Sequence, residues 1–255
     1  MRALVRHILP ATKEKTVLDI GCGTGGNIGA LQMDFSCVGI DNSAQAIELA
    51  RASYPDVRFI CGSFSGGRNR VGEEASLFLI MDVLEHVPDD FLLFSEILSV
   101  ARPGAYLLIT VPADVALWSK HDESFGHYRR YDLDRLALLW NDLPVSLLLV
   151  SYYNAHLYPI IRLARAVTRL RGRPFGRAGT DFHIPMRPIN ALLEEIFADE
   201  ARVLVGVLDG RRARGFPRGA SLIALLRREA GEISPRERPR GLPPDFCAPG
   251  VHHER

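Results

Sequence analysis

Residues 17–27 read Val-Leu-Asp-Ile-Gly-Cys-Gly-Thr-Gly-Gly-Asn. The apolar Val17, Leu18 and Ile20 form the end of a buried parallel strand, and Gly21, Gly23 and Gly25 let the chain turn sharply while a ligand approaches bare backbone. A helix is expected from Gly26 to Met33. Spacing alone leaves two ligand classes open. Gly21, Gly23 and Gly26 also satisfy the G-x-G-x-x-G pattern of dinucleotide sites, and Asp41 lies at the roughly twenty-residue distance of a ribose-binding acid.

The carboxylate of Asp19 separates them. A pyrophosphate docked on the helix N-terminus would sit close to this anion, whereas S-adenosylmethionine has no phosphate and carries an ammonium and a sulfonium. Asp19 therefore favours a cationic methionyl ligand. The plainer alternative is that Asp19 only accepts backbone N–H bonds within the turn, with the glycines serving packing.

Outward from this turn, strands are expected at 36–40, 57–61, 76–81 and 105–111, with helices at 43–53 and 89–101. Pro88 precedes the second of these helices, Asp89 or Asp90 suits its positive end, and Gly104 stops it. A helix over 133–141, capped by Asp132 or Asp134, leads to strands at 145–151 and 221–226. This alternation predicts an α/β fold: a Rossmann-like, doubly wound, seven-stranded and mostly parallel sheet with helices on both faces. The domain spans 1–228. Before its last strand lies an insertion, 157–218, with helices at 157–170 and 189–199, a candidate substrate cap. Residues 229–255, rich in Pro, Arg and Glu, read as a disordered tail.

Four stretches, at 17–25, Val-Gly-Ile-Asp-Asn-Ser at 38–43, Met-Asp-Val-Leu-Glu-His-Val at 81–87 and Arg-Pro-Gly-Ala-Tyr-Leu-Leu-Ile-Thr-Val-Pro at 102–112, stand in one order and at one spacing. In these the chain resembles the class I S-adenosylmethionine-dependent methyltransferases, and within them the branch of ubiquinone and menaquinone biosynthesis. The resemblance covers the first half of the chain. It implies a sheet that ends in an antiparallel hairpin and S-adenosylmethionine as cofactor.

The cofactor-binding residues expected on this basis are Asp19, Gly21, Cys22, Gly23 and Asn27 around the first turn, then Asp41, whose carboxylate can accept from both ribose hydroxyls, and Asn42. Ser63 and Phe64 follow the third strand. Family members usually carry an acid there for the adenine amino group, and Ser63 departs from that pattern with a weaker acceptor. Asp82 and Val83 end the fourth strand, where backbone carbonyls could receive the methionyl ammonium. Methyltransferases acting on base amines commonly show Asn or Asp, then Pro-Pro and an aromatic, at this place; Asp82-Val83-Leu84-Glu85 disfavours nucleic-acid bases as acceptors.

The block after the fifth strand, Trp118-Ser-Lys-His-Asp-Glu-Ser-Phe-Gly-His-Tyr-Arg-Arg-Tyr131, leaves a strand's carboxyl end, where open α/β sheets build their crevices. Methyl transfer from a sulfonium needs mainly orientation, plus a base where the nucleophile starts protonated. A histidine suits that task near neutral pH. His127 is the expected base, His121 its substitute, and Asp122 the orienting carboxylate; the alternative is a histidine that only orders the loop. His86 is read as a pocket wall. Trp118, Tyr128 and Tyr131 could bind an acceptor ring, and Arg129 and Arg130 an acidic group, unless an arginine merely pairs with Asp132 or Asp134 and closes the loop.

The chain has 255 residues, 47% of them hydrophobic, and a net charge of +1, which suits one α/β domain with an ample core and excludes a global basic field for nucleic acid. Cys22, Cys37, Cys61 and Cys247 show no paired spacing and read as reduced thiols, and no metal site is expected. Residues 143–161 lack Asp, Glu, Lys and Arg, but Pro144, Asn154 and Pro159 interrupt them, so no integral membrane segment is expected; without a signal-peptide core in 1–10, the default compartment is the cytoplasm. Arg162, Arg165 and Arg169 recur at helical spacing opposite Leu163, Val167 and Leu170. That pattern fits a cap helix with a solvated basic face, or more weakly a membrane-surface helix.

The expected function is methyl transfer to a small-molecule acceptor, at oxygen, in specialised-metabolite, quinone-like or glycan-related biosynthesis. A non-catalytic cofactor-binding partner protein, or a protein or RNA methyltransferase, is the alternative, and a nicotinamide oxidoreductase a more distant one. Monomer and homodimer stay open.

Overall fold

The computed structural model describes residues 1–64, 70–171 and 187–239. In chain order the elements are α1 (Arg2–Ile8), β1 (Thr16–Ile20), α2 (Gly26–Gly29), β2 (Ser36–Asp41), α3 (Ala44–Ser53), β3 (Arg58–Cys61), α4 (Arg70–Glu74), β4 (Ala75–Met81) and α5 (Asp90–Val100). They continue with β5 (Tyr106–Pro112), α6 (Lys120–Ser124), α7 (Leu133–Ala137), β6 (Val145–Tyr153), α8 (Tyr158–Arg171), α9 (Arg187–Leu208) and β7 (Ser221–Arg228).

The seven strands form one sheet in the order β3-β2-β1-β4-β5-β7-β6. Strands β1 to β5 pair in parallel, while β7 runs antiparallel between β5 and β6. This is the Rossmann-like sheet with the antiparallel end that the sequence predicts. Successive strand residues point to opposite faces, so each central strand feeds two cores. Leu18, Phe78, Ile80, Leu107 and Ile109 pack with Phe91, Phe94 and Ile97 of α5. Val17, Leu77, Leu79 and Leu108 pack with Ile28, Phe35, Ile47 and α1 on the other side.

Helix starts follow capping chemistry. Ser43 Oγ accepts from the Ala46 N–H, Asp89 from Leu92 and Asp132 from Arg135. Between the paired candidates, Asp89 and Asp132 are therefore the caps. Asp90, one residue into α5, is fully buried and serves a different purpose. Its carboxylate accepts from Tyr131 Oη at 2.8 Å and from Arg135 at 2.7 Å, and Arg129 lies 3.7 Å away.

Several boundaries differ from expectation. The helix after the glycine turn stops at Gly29, where a Cβ would lie 2.4 Å from the Tyr54 ring, and continues as turns. The helix after Asp132 ends at Ala137. Helix α9 is longer than expected and reaches Leu208, with Val203 and Leu204 buried. The stretch between the two expected helices of the insertion, 171–188, lies almost wholly outside the described residues.

On α8 the expected faces are only partly met: Arg162 is exposed and Val167 half-buried, but Leu163 of the apolar stripe is exposed and Arg165 half-buried. Ile160 and Leu163 are each 66% exposed, while Arg162 donates to Tyr158 Oη and Arg165 to Ser119 Oγ. Tyr158 in turn donates to Asp114 at 2.7 Å, so this helix is tied to the loop after β5 by its polar side. No helix among the described residues is long and apolar enough to cross a membrane.

The first residues of the expected tail are held against the domain. Residues 229–239 cross the α5 face: Ile233 packs on the core, the Arg236 N–H donates to Ser95 Oγ, and the Arg236 guanidinium reaches the carbonyls of Leu138, Leu139 and Asn141. Those carbonyls have lost their helical partners where α7 ends, which explains why an arginine settles there. The remaining expected tail lies outside the described residues.

Removing the buried carboxylate of Asp90 leaves Tyr131 and two arginines without their shared acceptor. Asp90→Ala is expected to lower unfolding free energy by about 3–5 kcal/mol in a urea titration; a loss below about 1 kcal/mol would show that the cluster is not structural.

Candidate active site

The carboxyl ends of β1 to β4 open on a cleft of about 500 Å³ lined by Gly21, Asp41, Asn42, Gly62, Ser63, Phe64, Asp82, Val83 and His86, with Ile20, Ile40, Val87 and Leu93 completing its walls. Open α/β sheets bind ligands at this edge. The glycine turn is shaped for it: Gly21 holds φ +68°, and a Cβ there would lie 2.6 Å from Val83 Cγ2. Glycine is the residue that this approach of the two strand ends tolerates.

Asp41 fixes the turn as well as facing the cleft. Its Oδ2 accepts from the Gly23 N–H and its Oδ1 from the Ser43 N–H, both at 2.8 Å. Asp19 behaves differently. It is 1% exposed, and neither carboxylate oxygen has a hydrogen-bond partner among the described residues. Burial, with the Asp41 charge adding to it, pushes its carboxyl up to about 8. The reading that Asp19 accepts backbone N–H bonds in the turn is therefore not met.

Not every residue expected around the cofactor lines the cleft. Cys22 is buried beneath Gly39, where its Sγ would lie 2.8 Å from an added Cβ, and burial pushes its thiol up to about 12. Asn27 is exposed on α2 and does not reach the cleft wall.

A second cluster adjoins the cleft at Asp82 and His86. Asp82 takes a positive φ of +55° at the end of β4, and burial raises its carboxyl. The chain then forms a single helical turn, Leu84–His86, which points Glu85 inward. Glu85 is 1% exposed, its Oε2 has no partner among the described residues, and burial followed by the Asp82 charge raises its carboxyl well above the usual range. The His86 ring meets the His127 ring edge to face, 4.6 Å between centroids, and burial lowers the pKa of His86.

His127 is positioned by Asp122. The fully buried Asp122 carboxylate accepts from Ser119 N–H at 2.9 Å and Ser119 Oγ at 3.2 Å, lies 3.1 Å from His127 Nδ1, and accepts from Arg130 Nε at 2.9 Å. Burial alone would raise this carboxyl, but His127 and Arg130 hold it down to about 2. The expected orienting carboxylate is thus Asp122. Helix α6 carries His121.

The expected acceptor grip through Arg129, Arg130 and Tyr131 is corrected. Arg129 is 1% exposed and donates to the carbonyls of Leu84, Val87 and Pro88, so it ties the β5 loop to the turn after β4. Arg130 is spent on Asp122 and the Ala113 carbonyl, rather than on Asp132 or Asp134. Tyr131 is fully buried with its hydroxyl on Asp90. Tyr128 and Trp118 remain half-buried, and the buried indole N–H of Trp118 has no acceptor among the described residues. Sequence reasoning did not single out Glu85; the signal was present as an acid inside the apolar run Val83-Leu84-Glu85-His86-Val87.

Residues 17–104 match the model of a family described as a methyltransferase domain. Over 108 residues the chain is 35% identical to norajmaline N-methyltransferase of Rauvolfia serpentina, a match that covers 39% of this chain and only 37% of that enzyme. Its fold is similar to that of geranyl diphosphate methyltransferase in complex with S-adenosylmethionine, at a TM-score of 0.57 and 15% identity over 89% of this chain and 84% of the other. It is similar also to the [4+2]-cyclase SpnF, with a TM-score of 0.53 and 15% identity over 89% and 81%.

A carboxyl raised on folding keeps a proton that the unfolded chain has lost, so the fold loses stability as pH rises from about 4 towards about 8. Asp19→Asn abolishes that titration. Its melting temperature is expected to exceed that of the wild-type protein by a margin that grows from pH 5 to pH 8; a pH-independent margin would mean that Asp19 is not held protonated.

Proposed function

On the premise that residues 17–104 make the chain a member of the class I S-adenosylmethionine-dependent methyltransferases, we propose that it transfers a methyl group to a hydroxyl of a small-molecule acceptor. The observation that carries this reading is the buried, unpartnered carboxylate of Asp19 behind the glycine turn. A buried carboxyl with no donor stays protonated in the free protein and ionises once a cation is set beside it, and the cofactor's methionyl end supplies one. A dinucleotide's pyrophosphate would add to the repulsion.

The cleft residues fit the remainder of S-adenosylmethionine. Asp41 keeps acceptor capacity for ribose hydroxyls beyond its two backbone bonds, Asn42 and Ser63 offer polar edges, and Phe64 and Leu93 supply apolar walls. When bound, the cofactor supplies an electrophilic methyl on a sulfonium. The protein's part is to fix acceptor and donor in line and to exclude water.

In this reading the acceptor lies beyond the His86 end of the cleft, where His127 meets the His86 ring and the loop after β5 also carries Tyr128 and Trp118. His127, oriented by Asp122, is the imidazole that activates the acceptor's hydroxyl, which is why oxygen is favoured over an amine. The methyltransferases similar to this chain support a small acceptor by their names, norajmaline and geranyl diphosphate being small molecules. Specialised-metabolite, quinone-like and glycan-related hydroxyl compounds form the acceptor panel.

The measurement is release of S-adenosylhomocysteine and labelled methyl product from such a panel. His127→Ala is expected to slow transfer by about 10²–10⁴-fold with unchanged S-adenosylhomocysteine affinity. Tight cofactor binding without turnover on any hydroxyl acceptor would overturn the catalytic reading and leave a cofactor-binding partner protein.

A further inference from the structure

Glu85, His86 and His127 each offer a ligand atom, and these atoms lie within 4.8 Å of one another. They come from two separate segments, the turn after β4 and the loop after β5, which Arg129 fastens together through the carbonyls of Leu84, Val87 and Pro88. The Tyr128 N–H adds a 2.7 Å bond to the Glu85 carbonyl. Their proximity is therefore built by the fold rather than by a mobile loop.

The outer partners match those of metal-bound histidines. His127 Nδ1 is engaged by Asp122, leaving Nε2 as its donor atom, and the His86 ring is hydrogen-bonded to the Phe125 backbone. Ligating histidines are characteristically oriented this way, the second ring nitrogen being held by a carboxylate or a backbone carbonyl. Glu85 supplies an independent indication: a carboxylate 1% exposed, with Oε2 lacking any partner among the described residues. Arg129 and Arg130 lie near it, but the first is used on the carbonyls named above and the second on Asp122 and Ala113.

We propose that Glu85, His86 and His127 bind a divalent transition-metal cation, with a coordination position left open towards the acceptor. Two imidazoles and one carboxylate suit zinc, cobalt, iron(II) or manganese better than magnesium or calcium, which prefer all-oxygen shells. Ligands at 2.0–2.2 Å from zinc stand closer together than 4.8 Å, so small side-chain rotations complete the site. His86 also lines the cofactor cleft, which puts the open position beside it.

The inference rests on the methyltransferase reading for its purpose. An acceptor hydroxyl against the cation loses its proton to solvent more readily, and the freed oxygen pair forms the O–C bond as the S–C bond of the cofactor breaks. His127 then activates the acceptor through the cation, and Asp122 sets the imidazole tautomer that makes this possible.

The probe is Co²⁺ alone, added to chelator-treated full-length protein without cofactor. Visible d–d absorption bands titrating to one equivalent, displaced by Zn²⁺, are expected for the wild-type chain. Affinity is expected to fall at least about tenfold in Glu85→Gln and in His127→Gln. Each variant is checked for S-adenosylhomocysteine affinity, which reports both its folding and the cofactor site. Absence of bands, or equal Co²⁺ affinity in wild type and in variants that still bind S-adenosylhomocysteine, would overturn the proposal. Metal binding without cofactor binding would instead overturn the methyltransferase reading and leave the metal site standing.

Discussion

An ionisable carboxyl held away from water without a donor is costly, and Asp19 is held so by the most central pairing of the sheet. Strand β1 lies between β2 and β4, and Asp19 stands opposite Gly39 on one side and Leu79 on the other. No solvent reaches it from either neighbour, and the turn that follows is occupied by the Asp41 carboxylate binding the Gly23 N–H. The strand order, the bare Gly39 and the positive-φ glycine turn all serve one arrangement: two acids beside a cleft that demands positive charge.

Other buried acids in the molecule show what a satisfied carboxylate looks like. Asp90 gathers Tyr131 and Arg135, Asp122 gathers Ser119, His127 and Arg130, and Glu200 takes the N–H groups of Asn154, Ala155 and His156. Asp90 and Glu200 collect donors from distant parts of the chain, whereas Asp122 folds its own loop around itself. Asp19 and Glu85 keep partnerless oxygens. The contrast separates acids that hold the fold from acids placed for something the fold does not contain, and both of the latter stand next in sequence to residues that line the cleft, Ile20 and His86.

The strands were legible because apolar runs and glycine punctuation are local signals, as in 17–27 and 76–81. The adjacent Arg129 and Arg130 were not legible. A guanidinium goes where carboxylates and free carbonyls are: those of Leu84, Val87 and Pro88, which hold Arg129, lie more than 40 residues earlier in the chain, and Arg130 takes Asp122 and the Ala113 carbonyl over the nearer Asp132 and Asp134 only because the loop folds back. Tyr131 was misjudged for the same reason, its hydroxyl partner Asp90 being equally distant in sequence. The histidine and its carboxylate, His127 and Asp122, were readable because both sit in one short segment. The polar attachment of α8 depended on Asp114 and Ser119, which no helical periodicity reveals.

The position of β7 has a consequence for biosynthesis. It is the last of the strands to leave the ribosome, yet it lies between β5 and β6 and is the neighbour of both. Until it emerges, the nascent β5 has one unpaired edge and β6 has no partner in the sheet, although Leu147 and Leu148 of β6 are already apolar and remain 47% and 40% exposed even when folded. The cleft-forming half can assemble early from β1 to β5, whereas the rest waits for a single late segment. Translation speed across the region before β7 thus sets how long those strand edges stay unpaired.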